Sequence, residues 1–244
     1  LHLSLRRQRQ MCIRDSLVTS SGEGEAQNFN LDTHVAHPLR YQRAEEFYDV
    51  VTGLWDTWED DAFIRDKDTG EFFDAGKHHA LHHKGRHFSV RGPLNVGRSP
   101  QGWPVVVQAG ASEAGRDLAA RTAEVIFVAH QTFDQAREFY GDIRQRAAQY
   151  GRDPDGIKIM PGIFPIVGRT QEEAEEKFQT LQDLIHPVVG VSLLSNMIGG
   201  IDLSAYPVDG PLPSLPETNG GKSRQQLLID LAQRENLTLS LIHI

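Results

Sequence analysis

The chain has 244 residues, with 25 Lys and Arg against 33 Asp and Glu, a formal net charge of -8 and 39% hydrophobic residues. That length holds one large domain or two small ones, and an acidic chain without a basic stripe argues against nucleic acid as the main partner. No apolar run reaches the ~18 residues of a membrane helix, and the single cysteine, Cys12, excludes an internal disulfide framework and fits a reducing compartment.

Residues 1–16 carry Arg6, Arg7, Arg9 and Arg14 with Asp15 as their one acid. No apolar segment follows them, as a signal peptide requires. This stretch and LSLIHI at Leu239–Ile244 are both similar to translated sequencing-adapter read-through. Both ends are therefore expected to be non-native, which leaves the native chain without Cys12. Leu17–Ser20 is a short β-like stretch, and residues 21–39 read as loop. Arg40–Trp58 is predicted to be an amphipathic helix, with Tyr41, Ala44, Phe47, Tyr48, Val51, Leu54 and Trp55 at helical spacing. Residues 59–103 lack that period. Phe72-Phe73 and His87–Val90 predict short strands, with turns at Thr69-Gly70 and Lys84-Gly85. A connection this long is usually functional.

From Pro104 onward strands and helices alternate. Strands are predicted at Pro104–Gln108 and Glu124–Ala129, with a strand region at Ile157–Val167 broken by Pro161-Gly162. Helices are predicted at Ser112–Thr122 and Thr132–Tyr150, and from Thr170 to Ile185. The last begins on a capping box, Thr170 with Glu173. Residues 186–221 read as irregular, and Ser223 as the cap of a final helix, Arg224–Glu235. Nearly all-apolar strands between helices predict a parallel sheet with covered faces. The alternation fits a doubly wound sheet or part of a (β/α)8 barrel, which typically needs roughly 250 residues.

Gln108–Gly115 carries the clearest chemistry. Ligands in α/β folds sit beyond the carboxyl ends of strands. Gly110, Ala111 and Ser112 lie at such an end and open a helix, where backbone N–H groups and a hydroxyl suit an anion such as phosphate. The same residues also read as a plain N-cap with a packing glycine. His37 and Tyr41 in HPLRY flank a helix entry one turn apart, which a cap and a core aromatic explain as well. The run KHHALHHKGRH (residues 77–87) has histidines at zinc-compatible spacing but no carboxylate or cysteine to complete a set, so hydrogen-bonded histidines on a hairpin are expected and no metal site is assigned. Glu59, Asp60, Asp61 and Asp66 lack the alternation of a calcium loop.

Several stretches together carry a resemblance: VTSS, RYQRAEEFYDVVTGLWDTWEDDAF, HKGRHFSVRGPLNVGRSPQGWPVVVQAGASEAGRDLAARTAEVIFVA, GRDPDGIKIMPGIFPIVGRTQEEAEEKF and YPVDGPLPSLP. Over residues 17–238 the chain resembles the flavin-dependent monooxygenases of the nitrilotriacetate monooxygenase component A and dibenzothiophene-sulfone monooxygenase type, in the bacterial-luciferase-like superfamily. The resemblance implies an α/β fold, a partial (β/α)8 TIM barrel with residues 59–103 as a long insertion before a central strand. It implies reduced FMN (FMNH2) as cofactor and O2 as co-substrate. A small organic substrate would be oxygenated through a flavin C4a-peroxide, and a separate NAD(P)H:flavin reductase would supply the FMN. The flavin contacts it implies are His37, Tyr41, Gly110, Ala111, Ser112, Thr19 and Ser20. Ser112 is the best matched, Gln108 is less so, and His37 is also the candidate for a catalytic part. A cytoplasmic homo-oligomer is expected for the full-length protein, with no nucleic-acid or membrane partner.

The family's aromatic-Asn pair before Val18-Thr19-Ser20 is replaced by Asp15-Ser16, and its closing strands are missing. Residues 17–238 are thus expected to be the middle of a longer enzyme, unstable and inactive alone. The alternatives are a non-catalytic flavin- or phosphate-binding barrel protein and a zinc-dependent hydrolase using the histidine run.

Overall fold

The computed structural model describes residues 14–216 and 218–242. Cys12 and most of the adapter-like N-terminal segment lie outside the described residues, as do residues 243 and 244. The chain divides into two compact units. One holds the described residues up to Thr19, Pro38–Phe127 and Phe139–Met160. The other holds Ser20–His37, Val128–Glu138 and the described residues from Pro161 onward.

The elements in chain order begin with strand β1 (Arg14–Leu17), helix α1 (Glu23–Gln27), helix α2 (His37–Trp55), strand β2 (His83–Lys84) and strand β3 (Ser89–Val90). There follow β4 (Val105–Ala109), α3 (Glu113–Thr122), β5 (Val125–Val128), α4 (Phe133–Gln149), β6 (Lys158–Pro161), α5 (Gln171–Asp183), α6 (Pro187–Met197) and α7 (Lys222–Glu235). The main sheet has the order β1-β4-β5-β6. β1 pairs parallel with β4, Arg14 opposite Val105 and Leu17 opposite Gln108, and β4 pairs parallel with β5, Gln108 opposite Ile126. Along β6, the backbone N–H of Lys158 donates to Glu124 and that of Gly162 to Val128, both at 2.8 Å. The α/β alternation and the parallel sheet are as expected.

Burial differs from the expectation of two covered faces. Val106 and Gln108 of β4 and Ile126 and Val128 of β5 are buried, but Val105 and Val107 are half-buried and Phe127 is 48% exposed. Period-two alternation therefore survives in strands that are apolar at every position but Gln108. On the covered side α3 packs back on β4. Gly115, Leu118, Ala119 and Thr122 of α3 and Phe139, Ile143 and Ala147 of α4 are buried stripes at helical spacing.

The insertion is held by polar and aromatic contacts rather than long strands. Phe72-Phe73 forms no strand, but the turn at Thr69-Gly70 is present, closed by the Asp66 carboxylate on the Thr69 hydroxyl at 2.8 Å. Trp58 is buried, stacks on Phe63 and His78 at 4.6 and 3.6 Å, and donates its indole N–H to Leu94 at 2.8 Å. The acids that oppose the dipole at the end of α2 are paired: Arg98 binds Asp56 and Asp60, each at 3.0 Å, and Lys77 binds Asp61. Glu46, inside α2, accepts from His83 Nε2 at 3.0 Å and from the backbone N–H groups of His87 and Phe88 at 2.8 Å each. One carboxylate thereby docks the β2–β3 hairpin.

In the second unit, residues 186–221 are not wholly irregular, because α6 occupies Pro187–Met197. Val188, Val189 and Gly190 are weak helix formers, but Val191, Leu194 and Ile198 pack with Leu203, Leu228, Ala232, Leu239 and Ile242 in one buried cluster. Ser223 does not cap α7: the helix starts at Lys222 with Gly221 as N-cap and ends on Asn236 in the left-handed region, φ 51°. Thr170 caps α5 by accepting from the Glu173 N–H at 3.3 Å. Glu173 reaches the Arg169 N–H instead of that of Thr170, so the capping box is half-formed. No residue of α5 is buried, and Ile163 and Phe164 before it are 85% and 84% exposed.

These features give two expectations. Burial pushes the Glu46 carboxyl up, but the His83 hydrogen bond and the His87 and Phe88 N–H groups outweigh it and hold the pKa at about 2 against an ordinary 4.5. A depressed carboxyl stabilises the fold fully above the unfolded value and loses that stabilisation as pH falls toward the folded value. Glu46→Gln is expected to lower the melting temperature at neutral pH and to flatten its pH dependence between about 4.5 and about 2; an unchanged acid profile would contradict the clasp. Ile163, Phe164, Phe178 and Leu184 are each more than half exposed, and large apolar side chains left in water favour association. The chain is expected to bind an apolar dye such as ANS and to self-associate in sedimentation runs, and a dye-silent monomer would contradict this.

Candidate functional site

The sequence-derived site residues fall in both units. Thr19, Tyr41, Gly110, Ala111 and Ser112 belong to the first, and Ser20 and His37 to the second.

In the first unit the site is built around the exit from β4. The chain leaves Ala109, turns at Gly110 with φ 131°, and enters α3 through Ser112, whose φ of -66° and ψ of 158° are those of an N-cap. Few side chains accept the Gly110 conformation. The Ser112 Oγ accepts from the Gly115 N–H at 3.2 Å and lies 3.4 Å from the Tyr41 hydroxyl. A methyl group on Gly115 would stand 3.0 Å from Tyr41 Oη and 3.1 Å from Ser112 Oγ, and one on Gly110 would stand 3.7 Å from the same Tyr41 oxygen. Two glycines thus let two hydroxyls and a helix N-terminus approach one another closely. Those groups fit a phosphate: hydroxyl donors, N–H groups pointing off the helix start, and the positive end of the helix dipole. Both the cap reading and the anion-site reading of Ser112 are compatible with this geometry, since one oxygen caps the helix and faces Tyr41.

Two further residues brace the turn. Arg116, one turn into α3, donates from Nε to the Ala111 carbonyl at 2.9 Å and from an Nη to Asp142 of α4 at 3.1 Å. Arg146 binds the other Asp142 oxygen at 2.9 Å and takes the Glu113 carboxylate at 2.7 Å. Gln108, read as a weaker candidate, does not join this group. It is buried, and its amide donates to the Thr122 hydroxyl at 2.8 Å, which itself donates to the Leu118 carbonyl at 2.7 Å.

In the second unit, His37 is the first residue of α2, ahead of Pro38. Its backbone N–H donates to the Asn219 side chain at 3.0 Å, and the Asn219 amide donates to the Val35 carbonyl at 3.1 Å. The Ser20 hydroxyl is 2.9 Å from His34 Nε2. Asn219 fixes the start of α2 from 182 residues away, and no local sequence signal points to it. Arg116 had a signal in hindsight, an arginine one turn after a Gly-Ala-Ser helix start, but its acceptor Ala111 is a backbone oxygen that a sequence does not display.

The histidine run is spent on structure. His78 stacks on Trp58, His79 pairs with Glu59 at 2.8 Å and His83 with Glu46 at 3.0 Å. Among the described residues no group of three or more His, Cys, Asp or Glu is arranged to hold a metal ion. Among them too, no helix is long and apolar enough to cross a membrane.

Residues 16–230 match the family model described as luciferase-like monooxygenase. The chain is 58% identical over 226 residues to the N-acetyl-S-(2-succino)cysteine monooxygenase of Bacillus subtilis (strain 168), covering 92% of this chain and 51% of that protein. It is 50% identical over 225 residues to nitrilotriacetate monooxygenase component A of Aminobacter aminovorans, covering 92% and 50%. Its structure superposes on that of riboflavin lyase (RcaE) with modified FMN and the substrate riboflavin, with a TM-score of 0.76, 34% identity, and coverage of 90% of this chain and 47% of that one. The chain spans about half the length of the curated relatives it matches.

The cap has a measurable consequence. Ser112→Ala is expected to cost about 1 kcal/mol of stability through the unmet Gly115 N–H. Ser112→Asp keeps the acceptor and should cost less, so equal losses in urea titrations would show that capping is not what Ser112 contributes.

Proposed function

The chain belongs to the luciferase-like monooxygenases, and we propose that residues 17–238 are the central part of one barrel domain of a reduced-FMN-dependent, two-component monooxygenase. On this reading residues 1–16 and 239–244 are non-native. Arg14–Ser16 nevertheless occupy an edge strand and Leu239 and Ile242 a core, because parallel pairing uses the backbone and a core accepts any apolar side chain of suitable size.

The observation that supports the reading best is the gathering of the Tyr41 and Ser112 hydroxyls, the Gly110 turn and the start of α3 at the carboxyl end of β4. Ser112, Ala111 and Gly110 would hold the FMN phosphate through the helix start, with the Tyr41 hydroxyl as a further donor. His37, Thr19 and Ser20 would contact the flavin, with His37 the candidate to donate a proton or hydrogen bond. Reduced FMN, when bound, supplies the electrons with which O2 oxygenates a small organic substrate, a redox capacity no side chain here provides. The residues' own work is to bind, to orient and to keep water out. One relative is named component A of its enzyme, which fits a separate NAD(P)H:flavin reductase as the source of reduced FMN. A cytoplasmic location and a homo-oligomer at full length belong to the same proposal.

The test is a flavin titration of this chain. FMN is expected to bind more tightly than riboflavin, because only FMN carries the phosphate. Ser112→Ala and Tyr41→Phe should each narrow that preference by about tenfold, the scale of one lost hydrogen bond to a charged group. Equal wild-type affinities for the two flavins would overturn the phosphate assignment. Oxygenation of an organic substrate by this chain alone, with reduced FMN supplied, would overturn the expectation that it is a part of the enzyme.

A further inference from the structure

Between Ala109 and Glu113 the Ser112 hydroxyl holds the helix end of the turn, and the Ala111 carbonyl ahead of it has a hold of its own. Arg116 supplies it from one turn along α3. Its Nε donates to the Ala111 carbonyl at 2.9 Å while an Nη is held by Asp142 at 3.1 Å, and the guanidinium lies 5.2 Å from the centroid of the Phe139 ring. The carbonyl, the carboxylate and the ring hold the guanidinium from three sides. The peptide between Ala111 and Ser112 is planar and trans, so holding its carbonyl toward Arg116 turns the Ser112 N–H the opposite way. Asp142 in turn accepts from Arg146 Nε at 2.9 Å, and Arg146 takes the Glu113 carboxylate at 2.7 Å. Glu113 is the first residue of α3, where a carboxylate would compete with a bound anion for the helix N-terminus. The same network therefore aims an N–H and draws off the competing acid.

We infer that Arg116, set by Asp142 and backed by Arg146, is a positioning residue that presets the Gly110–Ser112 turn for a phosphate monoester and so gives the chain its preference for a phosphorylated flavin. This rests on the reading that the turn holds the FMN phosphate. Arg116 acts through the Ala111–Ser112 peptide.

The experiment compares FMN with riboflavin on this chain and on Arg116→Lys, Arg116→Ala and Asp142→Asn, with riboflavin affinity serving as the check on folding. Lysine keeps the charge but cannot reach the Ala111 carbonyl and Asp142 together from one planar fork. Arg116→Lys and Arg116→Ala are both expected to reduce the FMN-over-riboflavin ratio by about tenfold, and Asp142→Asn to reduce it in the same direction. Full retention of the ratio in Arg116→Lys with loss in Arg116→Ala would show that charge alone matters and would overturn positioning. Parallel loss of both flavins in every variant would show a general structural role and overturn it too. If wild type itself does not prefer FMN, the phosphate reading fails and the inference falls with it. A wild-type preference that survives all three variants defeats the inference alone.

Discussion

The chain has three residues, Gly110 to Ser112, in which to leave β4 and start α3, and the rest of the site depends on how that reversal is made. A φ of 131° at Gly110 lets the backbone turn without a side chain in the way. The turn then has no regular hydrogen-bond ladder of its own. Its geometry is imposed from outside, by the Ser112 cap at one end and by Arg116 on the Ala111 carbonyl. The arrangement resembles a staple whose legs are α3 and α4. The ion pairs from Arg116 and Arg146 to Asp142 fix the helices to each other close to the point where the turn leaves the sheet. These groups are partly screened, so their worth lies less in net stability than in orientation.

The insertion solves a different problem with the same means. It has few backbone ladders and must still be held in one place. Glu46 does this from a helix that the insertion does not belong to, by satisfying two backbone N–H groups and a histidine at once. A carboxylate with three donors is stabilised as an anion even though burial opposes it. Trp58 supplies the apolar counterpart, flanked by Phe63 and His78. The acids at the end of α2, unfavourable by the dipole alone, become anchors for Arg98 and Lys77 on the returning chain. What looks in the sequence like an unstructured, His-rich connection is a set of long-range clasps.

This explains which parts of the fold the sequence displays. β4, α3, β5, α4 and the Thr170 cap are each written locally, in apolar period, glycine and a hydroxyl before a helix, and they lie where those signals put them. α6 was invisible because its valines and Gly190 argue against a helix, and only the burial of Val191, Leu194 and Ile198 against α7 decides otherwise. In the candidate site, Gly110, Ala111 and Ser112 are adjacent in sequence and declare themselves. Asn219 and Arg116 act on backbone atoms of other segments, and a pattern of side chains carries no record of such a partner. Gln108 misled for the related reason that a polar residue at a strand end has two faces to choose from, and the choice fell to Thr122.

The strands carry a last piece of argument. β4 and β5 are apolar at positions facing both ways, as strands buried on two sides are. Yet Phe127 is 48% exposed and Val105 and Val107 only half-buried, while their alternate neighbours are fully covered. A sheet that needed only one covered face would more economically alternate apolar and polar residues. The composition of the uncovered face is therefore that of a surface suited to contact with other chain, and α5 repeats the mismatch with an apolar row, Ala174, Phe178 and Leu181, none of it buried. Both mismatches follow naturally if the sheet is one arc of a barrel whose interior and next β/α layer complete it, as the proposed reading holds. The bracing of the Gly110 turn by Ser112, Arg116 and Asp142 lies wholly within the first unit and draws on neither of the mismatched faces.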